Sequence, residues 1–429
     1  LETRNLDFRH LILLSVNEGQ LPKAGGDSSF IPYNLRKAFG MTTIDHKIAV
    51  YAYYFYRLLQ RAEKVTLVYN TATDGINRGE LSRFMLQFLI EWGHPIQRKQ
   101  LEAEQSPQGS APITIEKTPD IMERMRKVFD LQSNPKAIIS PSALNCYLDC
   151  PLKFYFSAVE QIREEDEITE TVERDVFGSI LHKVMEELYA PFKGKMVTAD
   201  LLKLLRKDKA LLTGTIARAF AELFFKSPVV RPLEGKNFLT GEMIRKYVEK
   251  ILEQDAHYTP FQYVESEKQV RANLALGDGK VVQLKGFIDR VDALDRVLRI
   301  VDYKTGNGKL VFDSVDGLFD KEAKDRPKAV MQVFLYAWMY RQLPVYNGMP
   351  IQPAIYFLRT LFQGTFDPVV LYKAHGKGEK VDSFEEFSSD FEDGLRRCLE
   401  EIFDPDVPFT QTETGKACAY CTFRGLCGK

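Results

Sequence analysis

Residues Arg299 to Gly306 read RIVDYKTG, an apolar run interrupted by Asp302 and closed by Lys304. Side chains on a strand alternate between two faces, so Leu298, Ile300, Asp302 and Lys304 share one of them. The preceding run, LKGFIDRVD from Leu284 to Asp292, alternates in the same way and puts Phe287, Asp289 and Val291 on one face. LDRV, Leu294 to Val297, has the composition of a tight turn, so the two strands are expected to pair antiparallel with Asp289 close to Asp302. Burying one unpaired carboxylate costs several kcal/mol, and two facing carboxylates repel. A divalent cation between them removes both penalties, and Mg²⁺ takes hard oxygen ligands of this kind. Lys304, facing the same way, could hold an attacking water or neutralise a phosphate oxygen. The plainer reading is a structural salt bridge from Asp302 to Lys304 or Arg290, and a lone Asp-x-Lys favours it.

Two further segments shift that balance. FGSILHKVMEEL places His182 beside the helical stripe Phe177, Leu181, Val184 and Leu188, with Gly178 one turn earlier and suited to close backbone approach. MQVFLYAWMY places Gln332 and Tyr336 four apart, on one helix face. Taken singly, each is ordinary helix packing.

The rest of the chain frames these motifs. It has 429 residues, a net charge of -1, 45% apolar residues and six cysteines. That length suits two or three domains of roughly 150 residues. The charge excludes a uniformly basic nucleic-acid binder but not a local basic groove. No apolar run reaches the roughly 20 residues of a membrane helix, and there is no export signal, so a reducing, cytoplasmic setting and no membrane partner are expected. The opening Leu1, inside a patterned segment, reads as the start of a C-terminal portion of a longer protein. Strands at Leu11–Val16 and Val65–Asn70 alternate with helices at Asp45–Glu63 and Leu81–Trp92, an α/β order. A linker is expected near Gln105 to Pro112. Ser140 caps a helix opening at Pro141, and Pro151 ends or kinks it. Helices fill Asp200–Gln254, broken near Pro228 to Gly235. Strands follow at Gln262–Leu276, Lys280–Leu294 and Val297–Tyr303, then a helix at Lys328–Leu343 and a strand at Ala354–Arg359. A last helix spans Ser383–Phe403, with Ser383 and Glu386 as a capping box. Glu265 and Glu267 read as a solvated strand face beside the central pair.

The ordered set GSILH, GFIDRVD, VDYKTG and QVFLY resembles the RecB-type branch of the PD-(D/E)xK nucleases. The resemblance implies an α/β, restriction-endonuclease-like core with a mixed central sheet flanked by helices. It also implies metal-dependent hydrolysis of DNA: His182, Asp289, Asp302 and the Tyr303 carbonyl as ligands of Mg²⁺ or Mn²⁺, Lys304 acting on the water, and Gln332 and Tyr336 positioning the strand.

CAYCTFRGLC sets Cys418, Cys421 and Cys427 in a compact triad, strong evidence for a metal site that needs a fourth ligand, whether for zinc or for an iron–sulfur cluster. The triad and NCYLDCPLKFYF resemble the four-cysteine motif of AddB-type nucleases, which implies a [4Fe–4S] cluster held by Cys150, Cys418, Cys421 and Cys427. Cys146, one turn before Cys150, is the second choice, and Cys398 reads as an ordinary buried thiol. Such a cluster would clasp the first helix of the nuclease to its last segment. LETRNLDFRHLILLSVNEGQLP, with Leu6-Asp7-Phe8 and Asn17-Glu18-Gly19, resembles a late motif of superfamily 1 helicases. Arg61-Ala62 stands where active motors carry a phosphate-sensing arginine. No phosphate-binding Gly-rich loop occurs, so this chain alone is not expected to hydrolyse ATP.

The expected organisation is therefore 1–105 as the end of a helicase-like domain, 106–137 as a linker and connecting helix, and 138–429 as a nuclease with an iron–sulfur staple. The expected function is DNA exonuclease action within a helicase–nuclease complex that processes double-strand breaks, with DNA and an AddA-type subunit as partners. Alternatives are a free-standing four-cysteine exonuclease of the CRISPR-associated kind and a non-catalytic scaffold. Across Lys193 to Tyr258, Arg245, Lys246 and Lys250 are candidate phosphate contacts, against the simpler reading of a solvated face.

Overall fold

The apolar runs at Leu11 and Val65 become two short parallel strands, β1 (His10–Leu13) and β2 (Lys64–Leu67). They belong to the first of two compact units, residues 1–107 and 108–429. The computed structural model describes residues 6–23, 31–71, 79–93, 95–100, 112–163, 172–323, 325–362, 366–374, 376, 378–413 and 415–428. Most of the expected linker, 105–111, lies outside them. β1 ends earlier than its apolar pattern suggests because Ser15 adopts a φ of 55°. Helix α1 (Ile44–Leu59) and helix α2 (Arg83–Glu91) pack Phe55 and Phe84 against Val16 and Leu21. Asn17 ties the turn after β1 to the end of β2, donating to the Asn70 carbonyl at 2.7 Å and accepting from its N–H at 3.0 Å. Arg61 pairs with Asp7 at 2.9 Å.

The second unit opens with three helices, α3 (Pro119–Phe129), α4 (Pro141–Asp149) and α5 (Pro151–Phe154). The Ser140 hydroxyl caps α4, accepting from Ala143 N–H at 3.1 Å, and Pro151 restarts the helix as α5. Next come helix α6 (Arg174–Tyr189), strand β3 (Met196–Val197), and helices α7 (Ala199–Lys207), α8 (Lys209–Leu223) and α9 (Gly235–Tyr258). The sheet is completed by β4 (Phe261–Ala275), β5 (Val281–Leu294), β6 (Val297–Lys304) and β7 (Ile351–Phe357), with helix α10 (Lys328–Arg341) crossing over between the last two. Helix α11 (Ser388–Phe403) follows.

Strand order is β3-β4-β5-β6-β7, antiparallel except for the parallel β6–β7 pair, so the sheet is mixed. The β5–β6 turn falls on Asp295 and Arg296, both at positive φ, as a tight hairpin turn requires. β7 begins at Ile351 and includes Pro353; it is an edge strand, where a missing N–H is tolerated. The capping box expected at Ser383 and Glu386 does not form. A 3₁₀ turn at Phe384–Phe387 precedes α11, and the Ser383 hydroxyl accepts from Glu385 N–H instead.

One core contains α10 and α11 with α3 to α5; the other contains α6 to α9. The sheet serves both, and its facing changes along its length. Val282, Leu284 and Ile288 of β5 pack in the first core together with Val291. Strict alternation would separate Ile288 from Val291, so the strand is irregular between them. The expected common face of Phe287, Asp289 and Val291 is thereby broken: Phe287 is 47% exposed and Val291 is fully buried. On β4 the same rung holds Glu267, whose φ of 44° is the left-handed conformation that allows the turn-over.

Past this rung, four charges fill the sheet's other face. Arg290 donates to Asp255 at 2.6 Å and to Asp292 at 2.8 Å, and Arg299 donates to Asp292 at 2.9 and 3.0 Å. Tyr189 and Tyr356 hydroxyls donate to Asp255 at 2.6 and 2.8 Å. The Arg290 guanidinium lies 4.7 Å from both the Tyr189 and Phe261 rings, and that of Arg299 lies 3.4 Å from Tyr258. All four charged residues are at most 1% exposed. Replacing Asp255 by Ala leaves the two buried guanidiniums to share the single carboxylate of Asp292. Chemical denaturation of Asp255→Ala is expected to show a loss of about 3–5 kcal/mol. A loss under about 1 kcal/mol would contradict this account of the network.

Candidate active site

The β5–β6 ladder runs from Leu294↔Val297 to Arg290↔Val301. Extending that register one rung places Asp289 opposite Asp302, as strand alternation and the turn required. There a side chain replaces the next ladder bond: Tyr303 N–H donates to the Asp289 carboxylate at 2.7 Å. The Tyr303 carbonyl lies 3.1 Å from His182 Nε2, which α6 brings down from the other side. His182 Nδ1 faces Asp289 at 3.5 Å and Glu267 at 4.0 Å. Ligand atoms of His182, Glu267 and Asp289 all lie within 4.8 Å of one another. Glu267 is thus a member of the site and not part of a solvated face. Its left-handed backbone, which the residue pattern does not reveal, turns its side chain toward Asp289. Glu265 is more deeply buried than Glu267, but pairs with Lys268 at 3.0 Å and Lys193 at 3.8 Å, away from the group.

Asp302 stands on the α10 side of β6 and pairs with Lys304 at 2.8 Å. The salt bridge and the carboxylate cluster therefore coexist, while Arg290 is committed to the network on the opposite face. One Asp302 oxygen, Oδ2, is close to the ammonium yet outside hydrogen-bond geometry, and has no other partner among the described residues. Burial pushes the Asp302 carboxyl up to about 6, opposed by Lys304 and reinforced by Asp289. Burial likewise raises Glu267 to about 7, with Asp289 adding to it and His182 opposing. Burial works against the Lys304 ammonium, but Asp302 and Asp289 hold its pKa above the ordinary lysine value. These crowded, desolvated oxygens are the donor set a hard dication would relieve.

On α10, Gln332 donates to the Tyr336 hydroxyl at 2.7 Å, so the expected pair shares a face. Burial, then Asp302, raises the Tyr336 hydroxyl far above its usual range. Gly286 makes room for that ring: a Cβ there would lie 2.6 Å from Tyr336 Cε1. Gly178 is different. A Cβ there would meet Thr305 at 3.6 Å, an ordinary contact, so close packing within the chain does not require glycine at this position.

A cleft of about 690 Å³ has Lys304, Gln332, Cys146 and Ala417, the residue before Cys418, in its wall. Cys150 caps α5, its Sγ accepting from Lys153 N–H, and is 7% exposed; Cys418, Cys421 and Cys427 are half-buried. The C-terminal segment packs on the helix after Cys150, with Phe423 and Phe156 rings 5.2 Å apart. Among the described residues, no three cysteine sulfurs lie within 4.8 Å of one another, wider than one tetrahedral zinc would hold them. Cys398 is buried in α11, its thiol pushed up to about 12 by that burial. The two ends of the unit are joined by the polypeptide itself, without the cysteines. Thr114–Ile115 pairs with Phe409–Thr410. Buried Lys117 donates to the carbonyls of Glu401, Ile402 and Asp404 at 2.8–2.9 Å, capping α11.

Residues 138–428 match the family model of the PD-(D/E)XK nuclease superfamily, and the chain belongs to that superfamily. Among curated relatives, an ATP-dependent helicase/deoxyribonuclease subunit of Carboxydothermus hydrogenoformans is 29% identical over 195 residues, 43% of this chain and 17% of that protein. An uncharacterized protein of Rickettsia bellii is 25% identical over 171 residues, 39% of this chain and 19% of the relative. The aligned stretches thus span less than a fifth of these relatives. The crystal structure of SSO0001 aligns over 67% of this chain and 94% of its own at 13% identity, with a TM-score of 0.23 that carries no argument.

The raised carboxyls make a stability prediction. Asp302 and Glu267 hold their protons more tightly folded than unfolded, so the stability they lend is full below the ordinary carboxyl range. It is lost as pH rises through about 6 and about 7. In chelator, the thermal midpoint should fall by several degrees between these limits. Mg²⁺ should restore most of it at alkaline pH and little in acid, and Asp302→Asn should flatten both effects. A midpoint indifferent to Mg²⁺ at alkaline pH would count against a cation site here.

Proposed function

We propose that this chain hydrolyses DNA phosphodiester bonds with a divalent cation, as the exonuclease part of a helicase–nuclease complex that processes double-strand breaks for recombination. The observation that carries this reading is the convergence of His182, Glu267 and Asp289 beside the Asp302–Lys304 pair. His182, Asp289, Asp302 and the Tyr303 carbonyl would hold Mg²⁺ or Mn²⁺, with Glu267 as an added acidic ligand. A dication bound there lowers the pKa of a water and offsets charge on the phosphate. Lys304, held in place by Asp302, orients the attacking water or stabilises the charge that develops on the phosphate oxygens. The Gln332–Tyr336 pair lines the same edge and positions the DNA strand.

The setting within a larger machine rests on the likeness to the helicase/deoxyribonuclease relative and on the resemblance of residues 1–105 to a helicase segment. An AddA-type subunit is the partner this implies. Cys150, Cys418, Cys421 and Cys427 are assigned to a [4Fe–4S] cluster, supported by the packing of the C-terminal loop on the segment after Cys150. Among the described residues, no helix is long and apolar enough to cross a membrane.

Cleavage of end-labelled linear DNA tests the assignment. Activity should require Mg²⁺ or Mn²⁺ and fall about 100-fold or more in Asp302→Ala and Lys304→Ala; wild-type rates in both would end it. Glu267→Gln should raise the Mg²⁺ concentration needed for half-maximal rate. For the cluster, anaerobically purified protein should be brown, Cys421→Ala should bleach it, and Cys146→Ala should leave the colour. Stoichiometric zinc without iron would refute the cluster.

A further inference from the structure

α7, α8 and α9 meet around an open groove of about 570 Å³ that the catalytic assignment does not use. Its charge is lopsided. Arg206, Lys207, Lys209, Lys246 and Lys250 line it, against Glu249 and Glu253. Arg206 and Lys250 are spent on Glu253, at 3.1 and 3.0 Å. Arg245 nearby is held between Glu242 and Glu249. Of the three phosphate contacts considered from sequence, two are therefore engaged in ion pairs, and only Lys246 stands apart. Lys207 and Lys209 join it: all three are exposed, and none has an ion-pair partner among the described residues. The Glu242 carboxyl is held below its ordinary range first by its hydrogen bond from Arg245, with smaller contributions from Lys246 and Lys209.

An aromatic side chain completes the groove. Phe362, 56% exposed, lines it beside the lysines. Its ring packs edge-on to Tyr247 at 5.4 Å, and Tyr247 packs edge-on to Phe177 at 6.1 Å. Phe177 adjoins Gly178, which lies over Thr305, the residue after Lys304. A strip of rings thus leads from the candidate active site to the uncommitted ammoniums. Unpaired cations beside an exposed ring suit a single nucleic-acid strand, whose phosphates take the charges and whose bases stack. An acidic peptide would use the charges and leave the ring without a role.

We propose that this groove is a second binding site for single-stranded nucleic acid, in which Lys207, Lys209 and Lys246 hold backbone phosphates and a base stacks on Phe362. The proposal rests on the nuclease reading for the identity of the strand, which the strip would guide between cleft and groove.

The test is fluorescence anisotropy with a labelled strand of about 16 nucleotides, in chelator so that nothing is cut, across a salt series. Each phosphate held contributes about 0.7 to the slope of log affinity against log salt. The variant K207A/K209A/K246A should bind at least about tenfold more weakly, with the slope reduced by about 2. Phe362→Ala should weaken binding about tenfold and leave the slope unchanged. An unchanged slope in the lysine variant would overturn the proposal, and so would a groove that takes polyglutamate but no DNA. The two readings separate cleanly. Asp302→Ala should still bind the strand through the lysines. Wild type that binds this way but cuts nothing refutes the catalytic assignment alone. Wild type that cuts, with a lysine variant that binds normally, refutes the groove alone.

Discussion

Two arginines and two aspartates, sealed from water, hold the centre of the nuclease unit. Neither Arg290 nor Arg299 could be buried alone, and neither could Asp255 or Asp292. Together they are neutral, and tyrosine hydroxyls and aromatic faces supply much of the solvation that water would otherwise give. The network joins α6 through Tyr189, α9 through Asp255, β5 and β6 through their own side chains, and β7 through Tyr356. It also sets the site. Arg290 follows Asp289 directly and donates to the Tyr303 hydroxyl at 3.3 Å. Tyr303 is thereby held at three points: hydroxyl to Arg290, N–H to Asp289, carbonyl to His182. The geometry at the strand ends is transmitted from a charge cluster that never meets solvent.

The candidate site draws on both layers. His182 descends from the α6 side, Gln332 and Tyr336 from the α10 side, and the acids come from the sheet between them. Alternation along β6 sends Asp302 toward α10 and Tyr303 toward α6. The irregular rung at Glu267 and Asp289 turns those two acids toward His182. A non-glycine residue at positive φ is costly, and such residues concentrate where a site needs a side chain aimed off the regular pleat. Glu267 fits that description.

Much of this can be read from the residues because it depends on local periodicity. Alternation and a turn of fixed position bring Asp289 opposite Asp302, and a four-residue step puts Gln332 beside Tyr336. What stays hidden depends on backbone irregularity or on distance along the chain. Glu267 reads as part of a solvated face because a left-handed residue leaves no mark in a hydrophobic pattern. Phe287 and Val291 fall together in that pattern for the same reason. Asp255 sits in a helix rich in Glu and Lys and looks like one more surface charge; its partners lie 35 residues and more away. One signal is present: arginines at 290 and 299, inside runs of Val, Leu and Ile, cannot be buried without acids to meet them. The burial of Lys117 against the carbonyl ends of α11 joins residues far apart in sequence, and spacing cannot reveal such a pairing.

The β4–β5 hairpin extends well past the irregular rung, pairing from Lys268↔Ile288 out to Ala275↔Val281. The arm is nevertheless tied to the site from one side. Its Gly286 leaves the space that the Tyr336 ring fills, and its Val282, Leu284 and Ile288 pack in the core that carries α10. A slip of register in the arm would therefore reach the Gln332–Tyr336 face through packing alone, without moving an acid.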